Sequence, residues 1–257
     1  MEMKTTAIIQ ARSGASRLPG KVLLEVMGKT ILEYVIERVG KAECVEDIVV
    51  ATSCNKKDSK IEDLADRLRI KVYRGSEEDV LDRFYQAAGI FKIGHIIRIT
   101  ADCPLIDPDI IDKAVRLYFK SNADYCSNTL EETFPDGEDV EVFSRDALNR
   151  AWEEASLMSE REHVTPYIKK HPEKFKLASF KNKKNLSGKR WTLDEARDFK
   201  FIKAVLEMLY PASPDFHLAD ILDIVRRNPY LESMNSGIIR NEGYLTSLAK
   251  DKQVKQG

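Results

Sequence analysis

The feature that most limits the fold of this chain is a regular alternation of apolar runs and amphipathic segments in its first half. Short apolar runs at 5–10, 47–52, 71–75 and 95–100 predict buried strands, and the segments 30–42, 58–68, 77–91 and 107–119 have helical apolar spacing. Strands that alternate with helices in this way predict an α/β fold with a mostly parallel sheet flanked by helices on both faces. In such sheets ligands bind at the carboxyl ends of the strands.

The alternation stops near residue 120. The turn Pro135-Asp136-Gly137 lies between two extended runs and predicts a β-hairpin excursion. Helices are expected at 144–156, 160–170, 195–209 and 217–227, with short strands at 174–180 and 190–194. We find no repeat or low-complexity linker, so we expect one Rossmann-like domain over residues 1–245. This domain would consist of two halves, at about 1–120 and 121–245. Residues 246–257 are expected to form a mobile polar tail.

Composition excludes several kinds of partner. The 41 basic residues are balanced by 42 acidic ones, so no overall field favours nucleic acid or an anionic membrane. No apolar run approaches the roughly 18 residues that a membrane span needs. The four cysteines form no CxxC pair and nothing at the start resembles a signal peptide, so we expect reduced thiols and a cytoplasmic protein.

A basic, glycine-containing turn follows the first strand. The segment ARSGASRLPGK places Arg12, Arg17 and Lys21 around Gly14 and Gly20. It matches neither the Walker pattern nor the GxGxxG dinucleotide fingerprint. Backbone N–H groups and fixed cations at a strand end suit a triphosphate, whereas the alternative is a solvated basic loop.

Two carboxylates follow later strands of the expected sheet. Asp102 comes directly after the run HIIRIT, and Asp194 ends the segment RWTLD ahead of a helix. Each could instead be a turn or capping residue. Beside a phosphate site, however, hard oxygen ligands indicate Mg²⁺, so we expect Asp102 and Asp194 to hold a magnesium ion.

Six segments together resemble a known family. They are IIQARSGASRLPGKVL, RGSEEDVLDRF, RITADCPLIDP, PDGEDVEVF, EREHVTPYI and WTLDEARDFKFI, and they run in the family order from about residue 5 to 230. The chain resembles the cytidylyltransferase family of CMP-sugar synthetases, especially its spore coat polysaccharide branch. The resemblance implies transfer of CMP from CTP to a sugar or sugar-acid acceptor, with release of pyrophosphate and a requirement for Mg²⁺.

The resemblance also implies roles for particular residues. It assigns nucleotide binding to the first half of the chain and acceptor binding and dimerisation to the second. The residues expected to bind the nucleotide are Ala11, Arg12, Gly14, Arg17, Lys21, Thr52, Thr100 and Asp102, of which Arg12, Arg17, Lys21 and Asp102 are the expected catalytic residues. Those expected to bind the acceptor are Asp79, Arg83, Glu141, Arg161 and His163. Asp79 and Arg83, four apart on a helix, can also simply pair with each other.

The sequence leaves two alternative functions open and also predicts a homodimer. A phosphorylated acceptor would need a further cationic cluster, for which Arg161, Lys183, Lys184 and Lys189 are candidates. A nucleotide-binding domain without turnover could dispense with the two carboxylates. Apolar residues in FPDGEDVEVF would be poorly covered on a hairpin that stands off the sheet, so we expect this excursion to form a homodimer.

Overall fold

The computed structural model describes residues 5–254, and its centre is a seven-stranded sheet with the strand order β5-β4-β1-β6-β8-β7-β9. The strands are β1 Thr6–Gln10, β2 Glu25–Val26, β3 Lys29–Thr30, β4 Asp47–Ser53, β5 Lys71–Gly75, β6 His95–Thr100, β7 Tyr125–Ser127, β8 Glu141–Ser144 and β9 Leu177–Ser179. Strands β2 and β3 form a separate small antiparallel pair. In the main sheet β8 pairs antiparallel with both of its neighbours, and the other pairings are parallel.

Helices cover both faces of this sheet. They are α1 Ile31–Val39, α2 Ser59–Arg67, α3 Val80–Ile90, α4 Pro108–Ser121, α5 Arg145–Glu154, α6 Met158–His163, α7 Pro166–Lys170, α8 Ala196–Leu209, α9 Leu218–Arg227, α10 Tyr230–Ser233 and α11 Glu242–Val254. Alternate residues of β1 belong to different cores: Ile9 packs with α1, α2 and α4, and Ile8 packs with α3, α5 and α7. The predicted α/β fold with a mostly parallel sheet is confirmed. No helix among residues 5–254 is long and apolar enough to cross a bilayer.

The strand order places a crevice at the ends of β1 and β6. The chain passes from β1 to β4 on one side and, after β5, returns to β6 on the other side of β1. Ligand sites in open α/β sheets lie outside the carboxyl ends of strands where the winding direction reverses in this way. The basic turn that begins after Gln10 and the Asp102 segment that begins after Thr100 therefore face each other across this crevice.

The predicted excursion differs from the structure. Its two strands, β7 and β8, lie inside the main sheet, and the loop between them packs against the same chain. Phe134, Val140 and Phe143 are buried, with at most 4% of their surface exposed. The expectation of poorly covered apolar residues is therefore wrong, and this segment gives no argument for a dimer.

Three local predictions also differ from the structure. The helix expected at 160–170 is divided into α6 and α7, because Val164 has a φ of 71° and Pro166 starts a new helix. The segment 190–194 forms no strand beyond a single bridge between Arg190 and Asp136. The tail expected to be polar and mobile is helical through Val254 and packs on α6, because buried Ser247 and Asp251 bond to α6 residues; residues 255–257 lie outside the described range.

The turn at Gly137 holds the 190–194 segment in place. The N–H of Trp191 donates to the Asp136 carbonyl at 2.6 Å, and Gly137 has a φ of 109°. A Cβ atom on Gly137 would lie 2.6 Å from the carbonyl carbon of Trp191 and 2.7 Å from the nitrogen of Thr192. Only glycine therefore lets the two backbones approach this closely.

We expect Gly137→Ala to lower the free energy of unfolding by on the order of 3 kcal/mol, because it combines backbone strain with a backbone clash. Urea unfolding measures this loss. Gly188→Ala is the matched control, since its Cβ would meet no atom within 4 Å; it should change stability by less than about 0.5 kcal/mol. Equal stability of the two variants would refute the packing role of Gly137.

Candidate active site

The basic turn after β1 is closed on itself. The N–H of Gly20 donates to the Ser13 carbonyl at 2.9 Å, so the two ends of the turn meet. The N–H of Ser13 donates to Asp58 at 2.7 Å, which attaches the turn to the start of α2. Gly20 has a φ of 72°, a conformation that favours glycine, and it leads into the short 3-10 turn that begins at Lys21. This fixed geometry determines where the Lys21 side chain lies.

The Lys21 ammonium lies between the two predicted carboxylates. Its Nζ donates to Asp102 Oδ2 at 2.5 Å and to Asp194 Oδ1 at 2.8 Å. Burial opposes the charge on Lys21, but the two carboxylates outweigh burial and raise its pKa. The structure thus brings together Lys21, Asp102 and Asp194 from three distant parts of the sequence.

A buried arginine fixes Asp194 from the other side. Arg190 donates to Asp194 and Asp136 at 2.8 Å each and to Asp198 at 2.9 Å. Burial would raise the pKa of Asp194, but Lys21, Arg17 and Arg190 together lower it. Asp198 is fully buried, where it pairs with Arg190 and accepts the backbone N–H groups of Asp194 and Glu195; it is therefore a capping residue and not a solvated one.

Arg17, a second cation of the turn, lies at the edge of this cluster with 33% of its side chain exposed. It contacts Asp194 at 3.1 Å and Glu242 of α11 at 2.6 Å. Four carboxylates (Asp102, Asp136, Asp194 and Asp198) therefore surround three cations (Lys21, Arg17 and Arg190). The cluster lies at the point where β1, β6 and the 190–194 segment meet, and burial raises the pKa of Asp136 within it to about 7.

A pocket lies next to this cluster, between the start of the basic turn and α6. It is lined by Gln10, Ala11, Arg12, Val80, Arg83, Glu162 and His163. Arg12 Nη2 lies 3.8 Å from Glu162 Oε1, so the basic turn and α6 face each other across the pocket. Of the predicted acceptor residues, Arg83 and His163 line this pocket.

Asp79 and Arg161 form an ion pair with each other. The Arg161 guanidinium makes three hydrogen bonds of 2.6–3.0 Å to the Asp79 carboxylate and joins α6 to the start of α3. The alternative, a pair between Asp79 and Arg83, is not formed, since Arg83 is buried and donates to the carbonyls of Ser76 and Glu77 at 2.8 and 3.0 Å. Of Asp79, Arg83 and Arg161, only Arg83 is part of the described lining of the pocket.

Glu141 is the centre of a buried polar group beneath the pocket. Its carboxylate accepts hydrogen bonds from Arg98, Thr165 and Tyr125, the last at 2.5 Å, and lies 3.5 Å from Lys169. Burial would raise its pKa, but Lys169, Arg98 and the hydroxyl donors lower it to about 2. With 4% of its surface exposed, Glu141 is a supporting residue and does not stand open to a ligand.

The remaining predicted nucleotide residues differ in exposure. Ala11 is buried and donates its N–H to the Ala51 carbonyl at 3.1 Å. A Cβ on Gly14 would lie 2.8 Å from Glu77 Oε1, so glycine leaves room here for the Glu77 carboxylate. Thr100 is half-buried at the end of β6, whereas Thr52 is fully buried and the structure does not bring it to the surface of the site.

Several site residues were missed by sequence reasoning. Arg190 is the first residue of the RWTLD segment, but the sequence alone does not show that it pairs with Asp194. Gln10 and Arg98 lie on the same face of neighbouring strands and bond to each other at 3.0 Å. The alternation of Arg98 and Thr100 with isoleucines in β6 is the signal that could have found Arg98, and Gln10 is the polar residue at the end of an apolar strand.

The helix α11 packs over the same pocket. Ser247 donates to Glu162 Oε2 at 2.7 Å, its Oγ is 3.1 Å from His163 Nε2, and the ring of Tyr244 meets the His163 imidazole edge-on at 5.1 Å. Because these residues lie some 80 positions from α6 in the sequence, no local pattern points to them.

Comparison with known proteins identifies the class to which this fold and site belong. The profile of the cytidylyltransferase family matches residues 6–232. The chain is 31% identical over 229 residues to the spore coat polysaccharide biosynthesis protein SpsF of Bacillus subtilis, a match that covers 86% of this chain and 94% of SpsF. It is 40% identical over 244 residues to an uncharacterized protein of Methanocaldococcus jannaschii, covering 94% and 98% of the two chains.

A solved structure also indicates the cytidylyltransferase family. The structure of a cytidylyltransferase from Leptospira borgpetersenii superposes with a TM-score of 0.86 at 34% identity, covering 93% of this chain and 100% of that one. The chain belongs to the cytidylyltransferase family, whose members are nucleotidyltransferase enzymes. The resemblance found in the sequence is thereby confirmed.

We expect Glu141→Gln to destabilise the protein by roughly 3 kcal/mol, because it leaves Arg98 without its buried counter-charge. The folded pKa of Glu141 lies below its ordinary 4.5, so its stabilisation is full above that pH and is lost as pH falls towards about 2. Urea unfolding at pH 7 and at pH 3 checks both effects. Glu43→Gln, which removes an exposed ion pair with Arg116, is the control; a Glu141→Gln loss as small as the control loss would contradict the buried role.

Proposed function

We propose that the protein transfers CMP from CTP to a sugar or sugar-acid acceptor and releases pyrophosphate, supplying an activated precursor for a surface polysaccharide. The observation that carries this proposal is the Lys21 ammonium held between Asp102 and Asp194 at the crevice of the sheet. The family membership and the likeness to SpsF support the nucleotide and the kind of pathway.

The basic turn is proposed to bind the triphosphate. Arg17 is half-exposed and Lys21 is fixed, so the two can neutralise phosphate oxygens from two directions. Arg12 and Ala11 line the pocket at the start of the turn, where the nucleotide would lie against them. Because an oxygen nucleophile must approach an anionic α-phosphate, such fixed positive charge contributes most of the catalysis.

The donor set fits Mg²⁺. Two carboxylates from different loops converge on one nitrogen. Mg²⁺ is held by one or two carboxylates together with phosphate oxygens and water, so Asp102 and Asp194 would hold it here. When bound, the ion would add positive charge beside the α-phosphate and lower the pKa of an acceptor hydroxyl. The described residues also bring Asp107, Asp109 and His217 together, but there Asp107 already accepts the N–H groups of Asp109 and Leu218.

The acceptor is proposed to enter the pocket beside α6. His163, Glu162 and Arg12 offer polar atoms at its surface, and Arg83 also lines it. Glu141 and the Asp79–Arg161 pair are not part of this lining and fix the elements around it. Two of the four cations named for a phosphorylated acceptor are engaged elsewhere, since Arg161 binds Asp79 and Lys189 binds Glu232 at 2.5 Å. The other two, Lys183 and Lys184, are exposed, so the acceptor screen includes sugar phosphates. A homodimer and a cytoplasmic location stay predictions.

The test is an acceptor screen with pyrophosphate release as the signal. CTP and Mg²⁺ are combined with octulosonate and sialate sugar acids, neutral sugars and sugar phosphates. We expect release with CTP and a non-phosphorylated acceptor, and little with UTP, because the wrong base leaves buried polar groups unpaired at about 1–3 kcal/mol each.

In the same assay Asp102→Asn should lower kcat by roughly 100-fold or more while the protein stays folded, since one charge is removed without a change of shape. Unchanged rates in a folded Asp102→Asn protein would end the carboxylate assignment. Equal use of UTP would replace the proposed activity by a broader nucleotidyl transfer.

Lys21 gives a separate prediction. The ammonium fits between two carboxylates at 2.5 and 2.8 Å, and the longer, planar guanidinium of arginine does not fit that space. We therefore expect Lys21→Arg to lower kcat/KM for CTP nearly as far as Lys21→Ala, by roughly 100-fold. Lys41→Arg, which keeps a surface ion pair with Glu37, should have no effect; wild-type kinetics for Lys21→Ala would remove the phosphate site from this proposal.

A further inference from the structure

The C-terminal helix α11 contacts two residues that line the pocket, although it lies beyond the family match, which ends at residue 232. Ser247 is 2% exposed and lies beneath Glu162 and His163, two residues that line the pocket. Asp251 also accepts the N–H of Ser159, at the start of α6. One face of α11 is therefore fixed against α6 at two points, one turn apart.

The hydrogen bonds of Ser247 determine which of its neighbours can donate. A hydroxyl has one hydrogen, and the nearest acceptors for it are Glu162 Oε2 at 2.7 Å and the Gly243 carbonyl at 3.1 Å. The bond to the carboxylate is charge-assisted and shorter, so it takes the hydrogen. The lone pairs of Oγ then face His163 Nε2 at 3.1 Å, and this contact is a hydrogen bond only if Nε2 carries a hydrogen.

The other ring nitrogen has no hydrogen-bond partner among the residues that the structure describes. There the hydrogen bonds of His163 involve Nε2 alone. A neutral imidazole that is protonated on Nε2 has an unprotonated Nδ1, which can accept a hydrogen bond. His163 lines the pocket with 26% of its side chain exposed, while its Nε2 contacts Ser247 of α11.

We propose that Ser247 is a positioning residue of the site: with Glu162 it fixes His163 in the Nε2–H tautomer, so that Nδ1 accepts a hydrogen bond from a hydroxyl of the CMP acceptor. The functional half of this inference rests on the proposed function, whereas the tautomer does not. The ligand class that it specifies is a polyhydroxylated molecule that presents a hydroxyl donor to α6.

The electrostatic surroundings keep His163 neutral. Burial disfavours the charged imidazole, Glu162 partly offsets burial, and Arg98, Lys169 and Arg12 disfavour the charge further, which lowers the pKa of His163 to about 4. Near pH 7 the ring is therefore an acceptor on one nitrogen and a donor on the other, which is the state that the Ser247 contact selects.

The experiment is ¹⁵N-imidazole NMR of the full-length protein near pH 7. The chain has four histidines, and loss of a signal in His163→Gln assigns the resonances of His163. We expect a proton on Nε2 and an unprotonated Nδ1 in the wild type, a mixture of tautomers in Ser247→Ala, and the wild-type spectrum in Ser247→Thr, which keeps the hydroxyl. Thr246→Ala, on the exposed side of the same helix, is the matched control and should leave the spectrum unchanged.

Activity is measured on the same variants as pyrophosphate release at saturating CTP with the acceptor pool. Ser247→Ala should lower the rate at limiting acceptor about tenfold, the value of one hydrogen bond, with unchanged CTP affinity by calorimetry, and Ser247→Thr should restore the rate. A wild-type proton on Nδ1, or a Ser247→Ala spectrum equal to wild type, overturns the positioning role. A wild type that binds no CTP overturns the proposed function instead, while the spectra still decide the role of Ser247.

Discussion

The site depends on one interaction, the Lys21 ammonium held between Asp102 and Asp194. Each of the three residues comes from a different segment: the turn after β1, the turn after β6 and the segment before α8. A buried ammonium with two close carboxylates is stable only if each partner is fixed, since removing one partner leaves an unpaired charge. Gly20, Arg190 and Gly137 provide that fixation through the backbone and through ion pairs.

The sequence was sufficient to predict most of the first half of the fold. The strands β1, β4, β5 and β6 and the helices between them begin and end within a few residues of their expected places, because each apolar run is bounded by a strong turn or cap. The second half was harder to predict. There Phe134 and Val140 belong to a loop that is buried in the same chain, and whether an apolar residue is covered by its own chain or by a second copy is not encoded in local periodicity.

The sequence predicted which residues converge at the site. It did not predict which neighbours each of them contacts. Asp102 and Asp194 were expected to meet, and they do so around Lys21. Glu141 was expected to face a ligand but is enclosed by Arg98, Thr165 and Lys169, which come from three other elements. A charged residue in a motif can bind a ligand or hold the residues that do, and only the positions of its neighbours in space distinguish the two roles.

The contact between Arg17 and Glu242 joins residues 225 positions apart. On the ribosome, the turn that contains Arg17 emerges early, while the helix that contains Glu242 and Ser247 emerges near the end of synthesis. The bonds of Ser247 to Glu162 and His163, two residues that line the pocket beside α6, can form only after α11 has been synthesised. A chain that ends before α11 would therefore lack the contacts that hold these two side chains in place.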